Sequence, residues 1–158
     1  MSFDHVSILL KELGTLIGLP DLSLDEQKYC CLGFDDVIRV HMRYNESVDE
    51  IIFYSGLAPY EEGAPGNEKL FESLLAANLF WQGTSGGTLA VDAEAKHIYL
   101  MSREHVDGMD FQRFQGMLEN FVNRVEYCLG ELGEGKASDT NKKGDEAPGG
   151  QLPFSDLA

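Results

Sequence analysis

The sequence has few basic residues, few cysteines and no long apolar segment, and each shortage excludes a class of protein. Lysine and arginine number 12 against 27 acidic residues in a chain of 158, for a formal net charge of −15. Nucleic acids and anionic membranes attract basic surfaces, so we expect neither as a partner. No apolar run approaches the roughly 20 residues of a membrane span, and we expect no signal peptide and no membrane insertion.

The cysteines and histidines do not follow the spacing of a disulfide framework or a metal site. Cys30, Cys31 and Cys128 make an odd count, which favours reduced thiols in a cytoplasmic protein. No two of the four histidines have the i, i+4 spacing of a helical metal site. Residues 130–136 fit a phosphate-binding loop up to the lysine, but Ala137 follows where a magnesium-binding hydroxyl is needed. The sequence therefore predicts no cofactor.

The apolar residues that are present predict one α+β domain over residues 1–132. Steps of three and four indicate helices, and alternation or short apolar runs indicate strands. The short connections imply a mostly antiparallel, twisted sheet. In chain order we predict a helix over 3–17, strands over 27–34, 37–44 and 49–56, a helix over 68–80, strands over 88–92 and 97–102, and a helix from 110.

Several local signals mark the ends of these elements. Asp35 and Asp36 predict a tight turn between the first two strands. Asn67 and Asp110 are good N-cap residues for the second and third helices. Residues 133–151 contain no aromatic or large aliphatic residue, so we predict that 133–158 form a disordered acidic tail.

No arrangement of nucleophile, base and acid in the sequence predicts an enzyme. Ser85 lacks the context of a nucleophile elbow, and the paired acidic residues stand at turns, where charge serves solubility. Cys31 and His41 lie on neighbouring predicted strands, so a small enzyme using this pair is one hypothesis. We predict that the chain is not an enzyme.

The second helix and the sheet have features of binding surfaces. Leucine, phenylalanine and alanine cover more of the helix over 68–80 than one core contact needs, which indicates burial on a second side, for instance by another subunit. A free sheet edge can accept an added peptide strand. An acidic adaptor or immunity-like protein that binds a folded basic partner is an alternative function.

Three stretches in fixed order resemble the class I type III secretion chaperones of the Tir chaperone (CesT) family. The first is Leu-Ile-Gly-Leu-Pro at residues 16–20, which ends the first helix. The second joins Leu-Phe-Glu-Ser-Leu-Leu-Ala-Ala-Asn-Leu, residues 70–79, to Gly-Thr-Ser-Gly-Gly-Thr-Leu-Ala-Val-Asp, residues 83–92. The third is Ile-Tyr-Leu-Met, residues 98–101, before the final helix. The resemblance spans about residues 3–130.

The resemblance implies a small acidic homodimer in the bacterial cytoplasm that uses no nucleotide or metal. Its partner is expected to be a secreted effector, whose N-terminal segment it binds in extended form to keep the effector stable and secretion-competent. The positions carried over for the dimer interface are Leu74, Leu75, Asn78, Leu79, Phe80, Trp81, Leu89 and Val91. Those carried over for effector binding are Leu9, Leu13, Leu16, Ile38, Val40, Phe53, Leu100 and Met101.

Overall fold

A computed structural model describes residues 2–141, with the side chains of residues 3–133. It has the predicted order of elements: helix, three strands, helix, two strands, helix. The elements are α1 (Ser2–Ile17), β1 (Tyr29–Phe34), β2 (Ile38–Asn45), β3 (Glu50–Pro59), α2 (Asn67–Asn78), a 3₁₀ turn (Leu79–Trp81), β4 (Thr88–Asp92), β5 (His97–His105) and α3 (Phe111–Asn141).

The five strands form one sheet in the order β1-β2-β3-β5-β4, which leaves β1 and β4 as its edge strands. β1 pairs antiparallel with β2, and β2 pairs antiparallel with β3, as the short connections predict. The α+β class and the antiparallel sheet are confirmed. Within residues 2–141, no helix combines the length and apolar character needed to cross a membrane.

Two of the three local signals are confirmed. Asp35 and Asp36 both have positive φ, 51° and 57°, as a type I′ turn requires, and the N–H of Val37 donates to the carbonyl of Phe34 at 3.2 Å. The Asp110 carboxylate accepts a hydrogen bond from the backbone N–H of Arg113 at 2.7 Å and caps α3. The prediction for Asn67 is wrong, because Gly66, with φ of 96°, is the N-cap of α2. The Asn67 amide instead donates to the carbonyl of Glu61 at 2.7 Å.

The first of two compact units comprises residues 1–55 and 101–123. Its buried side chains come from one face of α1, from alternate positions of β1 to β3, and from the segment that leads into α3. The Phe53 ring lies 6.0 Å from Phe114 and 5.9 Å from Phe121, measured between ring centroids. His5 contacts the carbonyl of Met109 through Nε2 at 2.6 Å. This unit contains the β1–β2–β3 meander.

The second unit comprises residues 56–100 and 124–158, as far as the structure describes them. Its buried apolar side chains include Leu74 and Ala77 of α2 and Leu89 of β4. Val125, Cys128 and Leu132 continue the buried stripe of α3 at the predicted three and four spacing. Tyr60 meets Phe71 edge-on, with 5.2 Å between ring centroids. This unit presents the end of α2 and the turn after it.

The last helix is longer than the sequence predicts. α3 continues to Asn141, nine residues beyond the predicted domain boundary at 132. A helix that has already formed extends at little cost per residue, so apolar spacing alone does not mark its end. The rest of the predicted tail, residues 142–158, lies outside the described residues, and its disorder stays a prediction.

Candidate functional site

Large apolar side chains are exposed at the end of α2 and on β4. Leu75 is 71% exposed, Phe80 is 75% exposed and Trp81 is 58% exposed. We call this set the α2 patch; it consists of Leu75, Leu79, Phe80, Trp81 and Val91. Single exposed apolar residues are common, but several large ones close in sequence usually mark a surface that another molecule covers.

The backbone at the centre of the α2 patch has an uncommon conformation. Phe80 and Trp81 both have φ of 54°, in the left-handed region that bulky side chains rarely adopt. Each such residue costs about 1–3 kcal/mol and persists only where its surroundings fix it. A sequence pattern cannot reveal this, and the predicted helix ran on to Phe80. The helix ends at Asn78 instead, and the two rings turn outward.

Backbone hydrogen bonds hold the segment after α2 in place. The carbonyl of Trp81 accepts from the N–H of Gly86 at 3.3 Å, and the carbonyl of Ala77 accepts from the N–H of Gly83 at 3.1 Å. The Thr84 hydroxyl donates to the carbonyl of Gly87. These hydrogen bonds therefore fix the backbone that carries the exposed Phe80 and Trp81 side chains.

Asn78 joins the end of α2 to β4. Its side-chain amide donates to the carbonyl of Leu89 at 2.9 Å, and its side-chain oxygen accepts from the N–H of Leu89 at 2.8 Å. The Asn78 side chain thus makes the pair of hydrogen bonds with β4 that the backbone of a neighbouring strand would make. Asn78 positions the α2 patch by this contact and is itself half-buried.

Gly83 is required by a close approach of two backbones. A Cβ at this position would stand 2.7 Å from the carbonyl oxygen of Ala77 and 2.8 Å from its Cα. We expect Gly83→Ala to lower the free energy of unfolding by about 1–3 kcal/mol, measured by urea denaturation, because backbone atoms cannot move away cheaply.

Gly116 provides the matched control for that substitution. It lies inside α3, and a Cβ there would have no neighbour within 4 Å. Gly116→Ala is expected to raise the free energy of unfolding by up to about 1 kcal/mol through helix propensity. Equal effects of the two substitutions would contradict the close approach at Gly83.

The residues predicted for the dimer interface divide into an exposed and a buried group. Leu75, Leu79, Phe80, Trp81 and Val91 are exposed and form the α2 patch. Leu74 and Leu89 are buried in the protomer, so they support the patch from beneath. A dimer itself stays a prediction.

Most residues predicted to bind the effector are core residues in the structure. Leu16, 60% exposed, and Met101, 36% exposed, are accessible to a partner. The other six lie at positions where alternation or helical spacing directs their side chains into the protomer. They pack in the core, so direct contact with an effector is no longer predicted for them. The six buried residues are Leu9, Leu13, Ile38, Val40, Phe53 and Leu100.

α1 and the turn after it carry further exposed apolar side chains. Ile8 and Ile17 of α1 and Leu19 of the turn are exposed, as Leu16 is. The signal was present as an apolar stripe wider than one core contact needs. Spacing alone does not say which edge of such a stripe faces solvent.

The outer face of the β1–β2–β3 meander combines aromatic rings with cationic side chains. Strand pairing places Cys31 and Tyr54 on either side of His41, and Tyr29 opposite Arg43. The His41 ring stacks on Tyr54 with 4.8 Å between centroids and an interplanar angle of 14°. We call this set the outer face; its residues are Tyr29, Cys31, Arg39, His41, Arg43 and Tyr54.

A hydrogen bond joins the side chains of His41 and Tyr29. The Tyr29 hydroxyl and His41 Nδ1 lie 2.7 Å apart. Burial and the neighbouring Arg39 lower the pKa of His41, so its neutral form is favoured. Burial, followed by the charge of Cys31, raises the pKa of Tyr29, which keeps the hydroxyl protonated. The Tyr29 hydroxyl and the neutral imidazole therefore share one hydrogen bond through Nδ1.

The structure brings Cys31 and His41 together as neighbours, as the enzyme hypothesis required. They are paired residues on adjacent strands, and Cys31 is exposed. Nδ1 of His41 is hydrogen-bonded to the Tyr29 hydroxyl and not to the Cys31 thiol, which the enzyme hypothesis would need as its partner. Among the residues that the structure describes, no group of three or more histidine, cysteine, aspartate or glutamate side chains could hold a metal ion.

Comparison with known proteins shows similarity in sequence and in fold. The family model for the Tir chaperone protein (CesT) family matches residues 8–129. A protein of Chlamydia pneumoniae is 29% identical over 129 residues, which cover 81% of this chain and 96% of that protein.

Solved chaperone structures share the fold. The ExsC–ExsE complex has a TM-score of 0.69 at 22% identity and covers 80% of this chain and 92% of its own. The HopA1–SchA chaperone–effector complex has a TM-score of 0.66 at 12% identity, covering 82% and 97%. The Yersinia pestis type III secretion chaperone SycH, solved with a fragment of YscM2, has a TM-score of 0.57 at 21% identity, covering 75% and 95%.

Proposed function

The chain belongs to the Tir chaperone protein (CesT) family, and from this membership we propose how it handles its client. It is a type III secretion chaperone, and its partner is a secreted effector. We propose that it binds the N-terminal segment of the effector in extended form and so keeps the effector stable and secretion-competent. The match of the family model over residues 8–129 is the observation that carries this function.

The proposed form of the chaperone is a homodimer joined through the α2 patch. Leu75, Phe80 and Trp81 expose more apolar surface than a solitary protomer needs, and a second copy of the same patch would cover it. The left-handed backbone at Phe80 and Trp81 supports this role, because strained residues concentrate at functional surfaces.

The proposed effector surface includes the exposed side of α1 and the neighbouring sheet. Leu16 of α1 and Met101 of β5 are the accessible members of the set carried over from the family. An extended segment can gain affinity from backbone hydrogen bonds at a sheet edge and specificity from alternate side chains. The edge strand β1 is available for this in the fold.

The proposal also states where the chaperone works and that its function needs no catalysis. A chaperone that meets its client before secretion works in the bacterial cytoplasm, and holding an unfolded segment needs no catalytic group. The 22 acidic and 9 basic residues within residues 1–132 place the excess negative charge on the folded part of the chain. Such charge keeps protomers with exposed apolar surface soluble until a client covers it.

Co-purification followed by reconstitution tests the function. The full chain, tagged and expressed in its native bacterium, is expected to capture a type III effector that mass spectrometry identifies. When the captured effector's first hundred or so residues are co-expressed with the chaperone, they are expected to stay soluble and resist limited proteolysis. Leu16→Asp should weaken this complex at least about tenfold, since a desolvated carboxylate would replace an apolar contact.

Val37→Asp is the matched control for Leu16→Asp. Val37 is also exposed, at 73%, but lies at the β1–β2 turn. This variant should bind the effector segment as the unchanged chain does. Capture of the effector through a folded domain rather than its N-terminal segment would contradict the proposed function.

A further inference from the structure

The two arginines of the outer face form no ion pair among residues 3–133. Arg39 and Arg43 are both exposed. The ion pairs formed among these residues engage Lys28, Lys96, Arg103 and Arg113 with carboxylates, and none of them involves Arg39 or Arg43. Their charge is available to a partner of opposite sign.

The spacing of these cations fits an extended chain. Arg39, His41 and Arg43 occupy every second position of β2 and therefore point to the same side. In a strand, positions four residues apart are separated by about 13 Å. An extended peptide that runs along β2 repeats its own side chains at that same spacing. A helix or a compact loop does not match three polar side chains in one straight row.

The aromatic rings around His41 add contacts for the backbone and apolar atoms of such a peptide. Tyr29 lies 5.9 Å from His41 between ring centroids, on the side opposite to Tyr54. The hydrogen bond between Tyr29 and His41 holds the imidazole in place between the two arginines. The outer face therefore offers two cationic donors, Arg39 and Arg43, with flat aromatic surfaces between them.

We propose that the outer face binds an extended effector segment in which acidic residues recur at every second position, with carboxylates paired to Arg39 and Arg43. This rests on the proposed function, because it specifies the chemistry of the client segment. A long polyanion such as nucleic acid fits less well, because acidic surface elsewhere on the chain would repel it. A short segment needs only local complementarity, since charges beyond about 8 Å are screened at physiological salt.

Binding of designed peptides tests the proposal. The probe is a fluorescein-labelled nine-residue peptide of alternating glutamate and valine, measured by fluorescence anisotropy at physiological salt with the full chain. A peptide with glutamine in place of glutamate is its neutral analogue. We expect the acidic peptide to bind about tenfold more tightly, as two exposed ion pairs allow. Equal affinity of the two peptides would overturn the proposal.

Paired variants locate the contact. Arg39→Gln with Arg43→Gln should remove the preference for the acidic peptide, which amounts to about a tenfold loss of affinity. Lys11→Gln with Lys69→Gln changes the net charge equally at exposed positions outside the outer face and should alter affinity less than about twofold. Similar losses in both double variants would show a general charge effect and overturn the assignment to the outer face.

Cys31 reports occupancy of the outer face directly. Burial raises the pKa of Cys30 to about 12 and that of Cys128 to about 11, so these thiols alkylate slowly. Cys31 is exposed and pairs with His41. Saturating acidic peptide should slow alkylation of Cys31 several-fold, as mass spectrometry of the labelled chain would show. An unchanged rate would place the peptide elsewhere and overturn the proposal.

Binding of the captured effector segment distinguishes failure of this inference from failure of the proposed function on which it rests. If the captured effector segment binds the Arg39→Gln, Arg43→Gln variant as tightly as the unchanged chain, the inference fails and the chaperone function stands. If no effector is captured but the acidic peptide still binds through the two arginines, the function fails and the peptide site stands. A change in oligomeric mass of this variant, with unchanged peptide affinity, would identify a second copy as the occupant and overturn the inference.

Discussion

Replacement of Leu75 and Phe80 by aspartate is expected to convert the protein from a dimer into a monomer. Both side chains are exposed in the protomer, at 71% and 75%, and belong to the α2 patch. Each loses about 2–3 kcal/mol of apolar burial in the proposed interface, and each new carboxylate adds a desolvation cost. The dissociation constant is therefore expected to rise at least about a thousandfold.

Light scattering at micromolar concentration measures this change as a mass. The mass should fall from twice 17.5 kDa to 17.5 kDa. Aspartate tolerates the left-handed backbone of position 80 better than phenylalanine does, so the protomer should keep its circular dichroism spectrum. Val37→Asp, at an equally exposed apolar residue outside the patch, should stay dimeric. A monomeric unchanged chain, or a dimeric double variant, would refute the proposed interface.

Phe53→Ala is expected to be the most destabilising single truncation in the meander. Phe53 is fully buried and its ring lies about 6 Å from those of Phe114 and Phe121. Truncation of such a ring leaves a cavity and costs about 3–5 kcal/mol. At 2–4 °C per kcal/mol for a chain of this size, the melting temperature should fall by roughly 10 °C, as calorimetry would measure.

The matched comparison is Leu16→Ala, since both residues were carried over together as effector contacts. Leu16 is 60% exposed, and its truncation should change the free energy of unfolding by less than about 0.5 kcal/mol. It should instead weaken effector binding. An unchanged melting temperature for Phe53→Ala would show that this ring belongs to a binding surface, as the family resemblance first implied.

The order of elements was predictable because hydrophobic periodicity is a local property. The alternation from Ile38 to Tyr44 defined both faces of β2 correctly, and the two aspartates at 35 and 36 defined the turn before it. Alternation does not say which face other elements cover. Val40 and Phe53, carried over from the family resemblance as effector contacts, are completely buried by the protomer.

The candidate surfaces were less predictable, because they depend on register and on backbone angles. Strand pairing puts Tyr54 beside His41, and no signal in either strand alone contains that register. The outward turn of Phe80 depends on hydrogen bonds that involve Trp81, Gly83 and Gly86. The family resemblance predicted the positions of the α2 patch and none of the outer face, whereas the physical pattern indicated only an apolar excess on α2.

The type I′ turn at Asp35 and Asp36 has a consequence for how quickly the chain folds. Only three residues separate the paired Phe34 and Ile38, and so short a loop closes at small entropic cost and pairs β1 with β2 without help from distant segments. Hairpins of this kind form within about 1–10 μs, well before contacts of high sequence separation such as Phe53 with Phe114 can be made. The strands that carry the outer face are thus expected to be among the first parts of a newly made chain to become ordered.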